Sequence, residues 1–367
     1  MSDSEIPITI PKLKLFITGG TGYIGGAILT ALLRSPDLEI TALVRSESAI
    51  ETLTSPTSNP KFFTGSTPKC VLGSLSDLEL LQKIASESDI VVNCASANDL
   101  PSAETLIRGL AQGVEGTKKI FIHTLGTSAF AVWNNGDEGG SLIDDTTDLV
   151  ALMRYRNEEE EYGHRTVALK VVEIGKEVGV KTFVIVPPTI YGQSPALIPR
   201  MSVQLPPLVR TAIETKKARY IGSGNAMWSN VHITDLSNLY EIILRCGLSG
   251  AAKCAEEGIY FASNGEKSWK DVAYDIKGAV EAIDGWDGGE IKPESWGVEA
   301  AACIDGVNGP RDAMLAFGSN IITVPTRSLE LGWKPVFHGE AFVESLRRDA
   351  RTIWSQLNAT QETSATV

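Results

Sequence analysis

Thr18-Gly19-Gly20-Thr21-Gly22-Tyr23-Ile24-Gly25 lies between a short apolar run, residues 14–18 (KLFIT), and residues 23–33 (YIGGAILTALL), whose apolar positions recur at helical spacing. The stretch fits Gly-x-x-Gly-x-x-Gly through Gly19, Gly22 and Gly25, and Gly-x-Gly-x-x-Gly through Gly20, Gly22 and Gly25. A strand that turns through glycines into a helix makes a phosphate cradle. One glycine permits the tight turn, a second lets the backbone approach a pyrophosphate, and a third lets helix and strand pack closely. The helix start adds free N–H groups and positive dipole. Glycines alone are a weak signal; the strand before them and the helix after them give the motif its meaning. A dinucleotide is therefore expected at Gly19, Thr21, Gly22, Tyr23, Ile24 and Gly25.

Outward from this loop the chain alternates. Strands are expected at 39–44 (EITALV), 70–72, 89–94 (DIVVNC), 118–124 (KKIFIHT) and 181–186 (KTFVIV). Helices are expected at 76–86, with Ser76 and Glu79 as a capping box, at 103–110 and at 158–178. Nearly continuous apolar strands alternating with helices predict an α/β fold, a doubly wound parallel Rossmann sheet covered on both faces. After Pro187-Pro188 the rhythm changes. Pro195, Pro199, Pro206 and Pro207 make residues 193–220 loop-like. Strands recur at 230–233 and 258–262, and helices at 235–246, 268–283 and 340–357. Residues 55–68 and 285–295 read as loops, and no internal repeat is evident. The division is a dinucleotide-binding Rossmann domain at 1–190, a smaller C-terminal mixed α/β substrate lobe at 191–357, partly interleaved with the Rossmann sheet, and a polar, disordered tail at 358–367.

Composition excludes several classes. The 33 Lys+Arg against 45 Asp+Glu give a net charge of −12, which repels a phosphate backbone, so no nucleic acid is expected. The five cysteines include no CxxC pair, so a disulfide framework is not expected and a reducing compartment fits. The four histidines show no zinc spacing, and no metal is expected. The first residues are acidic where a secretory signal carries positive charge. No apolar run approaches the ~20 residues of a membrane span. The expectation is a cytoplasmic protein without a membrane partner.

The end of the second strand bears on the cofactor. About 20 residues after the glycines a carboxylate would hold the ribose 2′-hydroxyl of NAD. Val44-Arg45-Ser46 stands there instead. Arg45 offers a fork of donors suited to a 2′-phosphate, and Ser46 and Ser48 add neutral donors, so NADP(H) is favoured over NAD(H).

Taken in order, the motifs resemble an extended or atypical short-chain dehydrogenase/reductase of the NAD-dependent epimerase/dehydratase type. Val71-Leu72-Gly73-Ser74-Leu75-Ser76-Asp77 is similar to that family's Gly-Asp-Leu-x-Asp turn, with Ser74 in place of the adenine-contacting Asp. Asp89-Ile90-Val91-Val92-Asn93-Cys94-Ala95 resembles its fourth strand, on the adenosine side. Pro187-Pro188-Thr189-Ile190-Tyr191-Gly192 resembles its Arg-Pro-x-x-x-Tyr-Gly segment beside the nicotinamide, with Val186 replacing the Arg. Residues 230–236 (NVHITDL) and 331–335 (LGWKP) resemble two later landmarks. The resemblance spans about 13–350 and implies that Ser74, Leu75, Cys94, Ala95, Pro187 and Thr189 join the cofactor site. More narrowly, residues 186–192 resemble a fungal group of uncharacterised epimerase-like proteins.

The resemblance also implies a catalytic set: a Tyr acid/base, a Lys four residues later that lowers its pKa, and a Ser or Thr at the end of the fifth strand that binds the substrate oxygen. Thr124, Thr127 and Ser128 are the available hydroxyls. Tyr162 is the best-placed tyrosine, but Thr166 stands at the lysine position. Tyr155 is followed at that spacing by Glu159. The catalytic candidates are Tyr162, Thr124 and Ser128. Either Arg165 or His164 assists Tyr162, another acid acts, or no proton is transferred. The 158–161 glutamate run reads as a solvated helix start. His232 reads as a structural hydrogen bonder and Cys94 as a small packed hydrophobe. The expected activity is NADP(H)-dependent oxidoreduction of a carbonyl/alcohol pair on a small organic substrate. One alternative is a cofactor-retaining epimerase, isomerase or dehydratase, whose diphosphate site Arg200, Arg210, Lys216, Lys217 and Arg219 would supply. The other is a non-catalytic NADP(H)-binding sensor. A homodimer is compatible with either enzyme reading.

Overall fold

The computed structural model describes residues 12–55, 67–131, 141–304 and 307–365. β1 (Leu13–Thr18) leads through the glycine loop into α1 (Tyr23–Leu32). There follow β2 (Leu38–Val44), α2 (Glu47–Thr54), β3 (Lys69–Leu72), α3 (Leu78–Ser86), β4 (Ile90–Asn93), α4 (Leu100–Ala111) and β5 (Ile120–Thr124). A 3-10 turn at Thr127–Phe130 precedes β6 (Ser141–Asp144), α5 (Leu149–Glu159), α6 (Gly163–Val178) and β7 (Lys181–Val186). The later half supplies β8 (Thr189–Tyr191), α7 (Leu205–Thr215), β9 (Lys217–Ile221), β10 (Met227–His232), α8 (Ile233–Ser249), β11 (Ile259–Phe261), β12 (Glu266–Ser268) and α9 (Trp269–Glu281). It ends with β13 (Lys292–Trp296), α10 (Val298–Ala301), α11 (Pro310–Phe317), β14 (Ile321–Val324), α12 (Thr326–Glu330) and α13 (Gly339–Ala365).

Seven parallel strands form the main sheet in the order β3-β2-β1-β4-β5-β7-β11. Successive residues of its central strands enter two different cores. Phe16, Val91 and Phe121 pack with Leu106 of α4 and Val171 of α6. Leu15, Ile17, Ile90, Val92, Ile120 and Ile122 pack with Ile28 of α1 and Ile243 of α8. Burial on both faces is the reason these strands read as unbroken apolar runs. Strand order reverses between β1 and β4, so a crevice opens at their carboxyl ends, where the glycine loop lies.

A second sheet has the order β12-β10-β14-β6, with β8 on β10, and β13 pairs with β9. The two sheets exchange strands along the chain: β6 joins the second, and β11 returns to the edge of the first. Asp145, just past β6, fastens them. Its buried carboxylate accepts from the Phe261 N–H at 3.1 Å and the Arg327 N–H at 2.8 Å.

Several local expectations are corrected. Residues 158–178 are not one helix: α5 ends at Glu159 and α6 starts at Gly163. The glutamate run therefore sits at a helix end, not a helix start. The helix expected from residue 76 begins at Leu78. Asp77, not a Ser76–Glu79 box, organises the turn, accepting from Ser74 N at 2.6 Å and Ser74 Oγ at 3.0 Å. Residues 193–220 hold α7 and most of β9, because Pro206 and Pro207 occupy a first helical turn, where no N–H is needed. The 285–295 loop gives way to β13 at Lys292. The segment 358–365, expected to be disordered, continues α13. Residues 56–66 of the expected surface loop lie outside the described residues. Among the described residues no helix is long and apolar enough to cross a membrane.

Candidate active site

The glycine loop is closed by backbone contacts that admit no side chain at two of its positions. Gly19 has φ +75°, and a Cβ there would lie 2.7 Å from the Cys94 carbonyl carbon. A Cβ on Gly25 would lie 2.3 Å from the Gly19 oxygen. Gly22 differs: the one near atom is the Gly19 oxygen at 3.2 Å. It borders a cleft of about 220 Å³ with Tyr23, Ile24, Gly25, Cys94 and Pro188. Among the described residues no side chain caps α1, so its first N–H groups can face an anion. A pyrophosphate fits this cradle. A larger cavity of about 880 Å³ lies against α13, lined by Gln193, Arg200 and Asp349. The smaller cleft is the one that borders the glycines.

Of the other residues expected at the cofactor, Cys94 lines the same cleft, and the rest follow the carboxyl ends of β2, β3, β4 and β7. Arg45 is exposed just past β2. Ser46 caps α2 by accepting from Ala49 N, and its hydroxyl lies 3.0 Å from that of Ser48. Gly73 N–H donates to the Val44 carbonyl at 2.9 Å, so the Ser74–Leu75 turn sits beside the end of β2. Ala95 N lies beneath Gly19. Burial pushes the Cys94 thiol up to about 12, which leaves it a protonated packing group. Thr189 Oγ1 donates to Gln204 at 2.8 Å, and Pro187 carbonyl accepts from Thr127 N–H at 3.2 Å.

The three catalytic candidates separate into two groups. Ser128 Oγ and Tyr162 OH lie 3.1 Å apart, joining the turn after β5 to the start of α6. Thr124 is engaged elsewhere, 2.7 Å from Tyr240 OH and bonded to the Cys94 sulfur. Tyr162 is the N-cap residue of α6, and its own N–H donates to Asn157 Oδ1 at 2.9 Å. The same Asn157 donates to Thr166 Oγ1 at 3.2 Å. The position of the family lysine is thus occupied by a hydroxyl that helps close the α5–α6 break.

Arg165 does not reach the phenol oxygen. It is buried and donates to the carbonyls of Ala129, Arg156 and Glu160, with its guanidinium carbon 5.4 Å from the Tyr162 ring centre. His164 does reach it: Nδ1 lies 3.0 Å from Tyr162 OH. Two further groups come from α11, far along the chain. Arg311 lies 5.3 Å from the Tyr162 ring centre and pairs with Glu160 at 3.0 Å, and Asp312 acts on both Tyr162 and His164. No sequence motif marks Arg311 or Asp312. Burial raises the Tyr162 phenol above its ordinary value and lowers His164 below its own. Both are therefore neutral at pH 7.

The basic residues considered for a diphosphate are otherwise occupied. Lys217 and Arg219 pair with Glu294, and Arg210 pairs with Glu214. Lys216 lies 4.0 Å over the Trp286 ring, and Arg200 donates to the Thr21 carbonyl. His232 caps α8 by accepting from Thr234 N at 3.2 Å, a structural role.

The model of the NAD dependent epimerase/dehydratase family matches residues 15–252, and the chain belongs to that family. It is 28% identical over 340 residues to the oxidase UcsJ of an Acremonium species, covering 88% of this chain and 93% of that protein. It is 27% identical over 259 residues to an uncharacterized protein of Saccharomyces cerevisiae, covering 68% and 77%. Among solved structures, a dTDP-glucose 4,6-dehydratase from Streptomyces venezuelae, determined with NAD bound, superposes with a TM-score of 0.63 at 15% identity, covering 95% of this chain and 98% of that one. Vestitone reductase from alfalfa superposes at 0.58 and 15% identity, covering 93% and 99%. These last two likenesses concern the fold.

Proposed function

We propose that this member of the family is an NADP(H)-dependent oxidoreductase that interconverts a carbonyl and an alcohol on a small organic substrate. The observation that carries the reading is the Ser128–Tyr162 pair, 3.1 Å apart, in a chain whose glycine loop fits a dinucleotide. The relative named as an oxidase supports redox chemistry over isomerisation.

In this reading the first turn of α1 holds the pyrophosphate and Arg45 pairs with the 2′-phosphate. The bound nicotinamide supplies or accepts a hydride. Ser128 donates to the substrate oxygen and fixes its position, and Tyr162 exchanges a proton with that oxygen as the bond order at carbon changes.

The test is a panel of aldehydes, ketones, quinones and the matching alcohols, followed by the change in NADPH absorbance. Net turnover is expected. Substrate conversion without net cofactor turnover would favour an epimerase or dehydratase. No conversion would favour a sensor.

Arg45→Asp checks the cofactor assignment. A charge-assisted bond contributes on the order of 1.5–3 kcal/mol, so NADPH should bind about 10- to 100-fold more weakly. NADH affinity should change far less. An equal loss for both dinucleotides would remove Arg45 from the 2′-phosphate.

A further inference from the structure

We infer that His164 is the proton-holding partner of Tyr162, so that the site works through a Ser128–Tyr162–His164 relay in place of a tyrosine–lysine pair. The inference rests on the oxidoreductase reading and deepens it. His164 touches no substrate atom; it acts through Tyr162 and is a positioning residue for it.

The geometry carries the relay. Among the described residues Tyr162 OH has two hydrogen-bond neighbours, Ser128 Oγ at 3.1 Å and His164 Nδ1 at 3.0 Å. The two rings lie 4.7 Å apart, centre to centre, which fixes the imidazole against the phenol. A phenol is the better donor of the two and an imidazole nitrogen the better acceptor. Tyr162 therefore donates to Nδ1, which places the His164 proton on Nε2, and Ser128 is left to donate to the phenol oxygen or to a substrate oxygen. His164 is only half-buried, so it can exchange protons with water.

Charged and titratable groups approach this pair from several elements. Asp312 of α11 favours a proton on His164. Arg311 of α11 and Arg165 of α6 favour an ionised Tyr162. His123 of β5 also lies near His164; burial holds it down at about 4, so it stays neutral. Burial of His164 itself outweighs Asp312 and keeps it a free base at pH 7. A free base next to a protonated phenol is the resting state a relay requires.

In alcohol oxidation each atom and electron has a destination. The substrate O–H gives its proton to the Tyr162 oxygen while the Tyr162 proton passes to His164 Nδ1. The carbinol carbon loses its hydride to bound NADP⁺ and becomes a carbonyl. The resulting imidazolium returns one proton to water. Reduction runs the same transfers backwards and begins from the imidazolium.

The relay has a pH signature that a structural histidine would not produce. Oxidation needs neutral His164, so its rate should be level from pH 7 to 9. Reduction needs protonated His164, so its rate should fall about tenfold per pH unit over the same range. In His164→Gln the phenol must ionise unaided, and burial has raised its pKa above its ordinary value of about 10. Oxidation in that variant should be about 10- to 100-fold slower at pH 7 and should climb with pH, whereas reduction should become level.

The experiment measures both profiles in the wild-type chain and in His164→Gln, using the pair found by the substrate panel. NADPH affinity of the variant reports its folding. A second measurement needs no substrate: ¹⁵N-histidine spectra of the NADP⁺-loaded chain, assigned with His164→Gln, should show His164 protonated at Nε2 and hydrogen-bonded at Nδ1, with a shift in Tyr162→Phe. A proton on Nδ1, or an unchanged signal in Tyr162→Phe, overturns the relay. So does a His164→Gln pH profile that matches wild type while turnover persists, and this leaves the oxidoreductase reading standing. Absence of wild-type turnover across the panel overturns that reading, and the relay with it.

Discussion

Gly22→Leu should abolish NADPH binding, with an affinity loss of at least about 100-fold, while the chain stays folded. The glycines of the loop are not equivalent in this respect. Side chains at Gly19 and Gly25 would strike backbone atoms at 2.7 and 2.3 Å and would distort the loop itself. At Gly22 the backbone is extended, with φ −89° and ψ 179°, a conformation open to any residue. A Cβ there meets the Gly19 oxygen at 3.2 Å and has no other heavy atom within 4 Å. A leucine can therefore be built with a small adjustment, and its branches would fill the space a pyrophosphate needs against α1. Fluorescence titration with NADPH measures the loss, and a thermal melt close to that of wild type separates it from unfolding. Unchanged affinity in a folded variant would move the dinucleotide away from this loop and would undo the functional reading.

The features legible in the sequence are those whose physics is local. The main sheet announces itself because β1, β4, β5 and β7 are buried on both faces and so carry unbroken apolar runs. The phosphate loop is legible because its steric demands fall on adjacent residues. Tyr162 and Ser128 are candidates through the family resemblance, Ser128 as one of three hydroxyls, and the structure places their side chains 3.1 Å apart. Less visible were β6, β8 and β14, each three or four residues long and paired only with strands remote in sequence. The continuation of α13 past residue 357 was masked by polar composition. The Trp354 ring packs 5.1 Å from that of Trp286, so this last helix is held by a tertiary contact and not by local patterning.

The break between α5 and α6 shows the same limit inside the site. The glutamate run at 158–161 carries no apolar periodicity of its own and reads as the start of the following helix, whereas Asn157 turns its side chain onto Tyr162 N and Thr166 Oγ1 across the break. Side-chain hydrogen bonds of this kind compete with the helix ladder, and periodicity does not register them. The missing lysine and the helix break are thus one feature. Thr166 can serve the break because it is not a lysine, and the break brings Tyr162 to an N-cap, where a histidine two residues on can reach the phenol. Of the two assistants the sequence offered for Tyr162, the fold brings His164, two residues on, to the phenol oxygen, and it ties Arg165 to backbone carbonyls.

Tyr162→Phe should lower turnover about 10²- to 10⁴-fold, the range typical of losing a positioned acid or base. NADPH affinity should be unchanged, because the hydrogen bonds of Tyr162 go to Ser128, His164 and Asn157, none of which belongs to the glycine loop or the end of β2. Truncating the hydroxyl removes the one atom that Ser128 and His164 share. Ser128 would still bind the substrate oxygen, and the cofactor would still place its hydride, so catalysis by positioning survives. What disappears is the route by which a proton reaches the substrate oxygen. The loss should therefore fall on kcat with KM little altered, and it should not be restored by raising the pH, since phenylalanine has no proton to lose. His164→Gln, by contrast, should recover oxidation as the pH rises, because its phenol can still ionise. If Tyr162→Phe instead left kcat within a few-fold of wild type, proton transfer would have to come from water on Ser128. The phenol would then be a packing group held between Arg165 and Arg311.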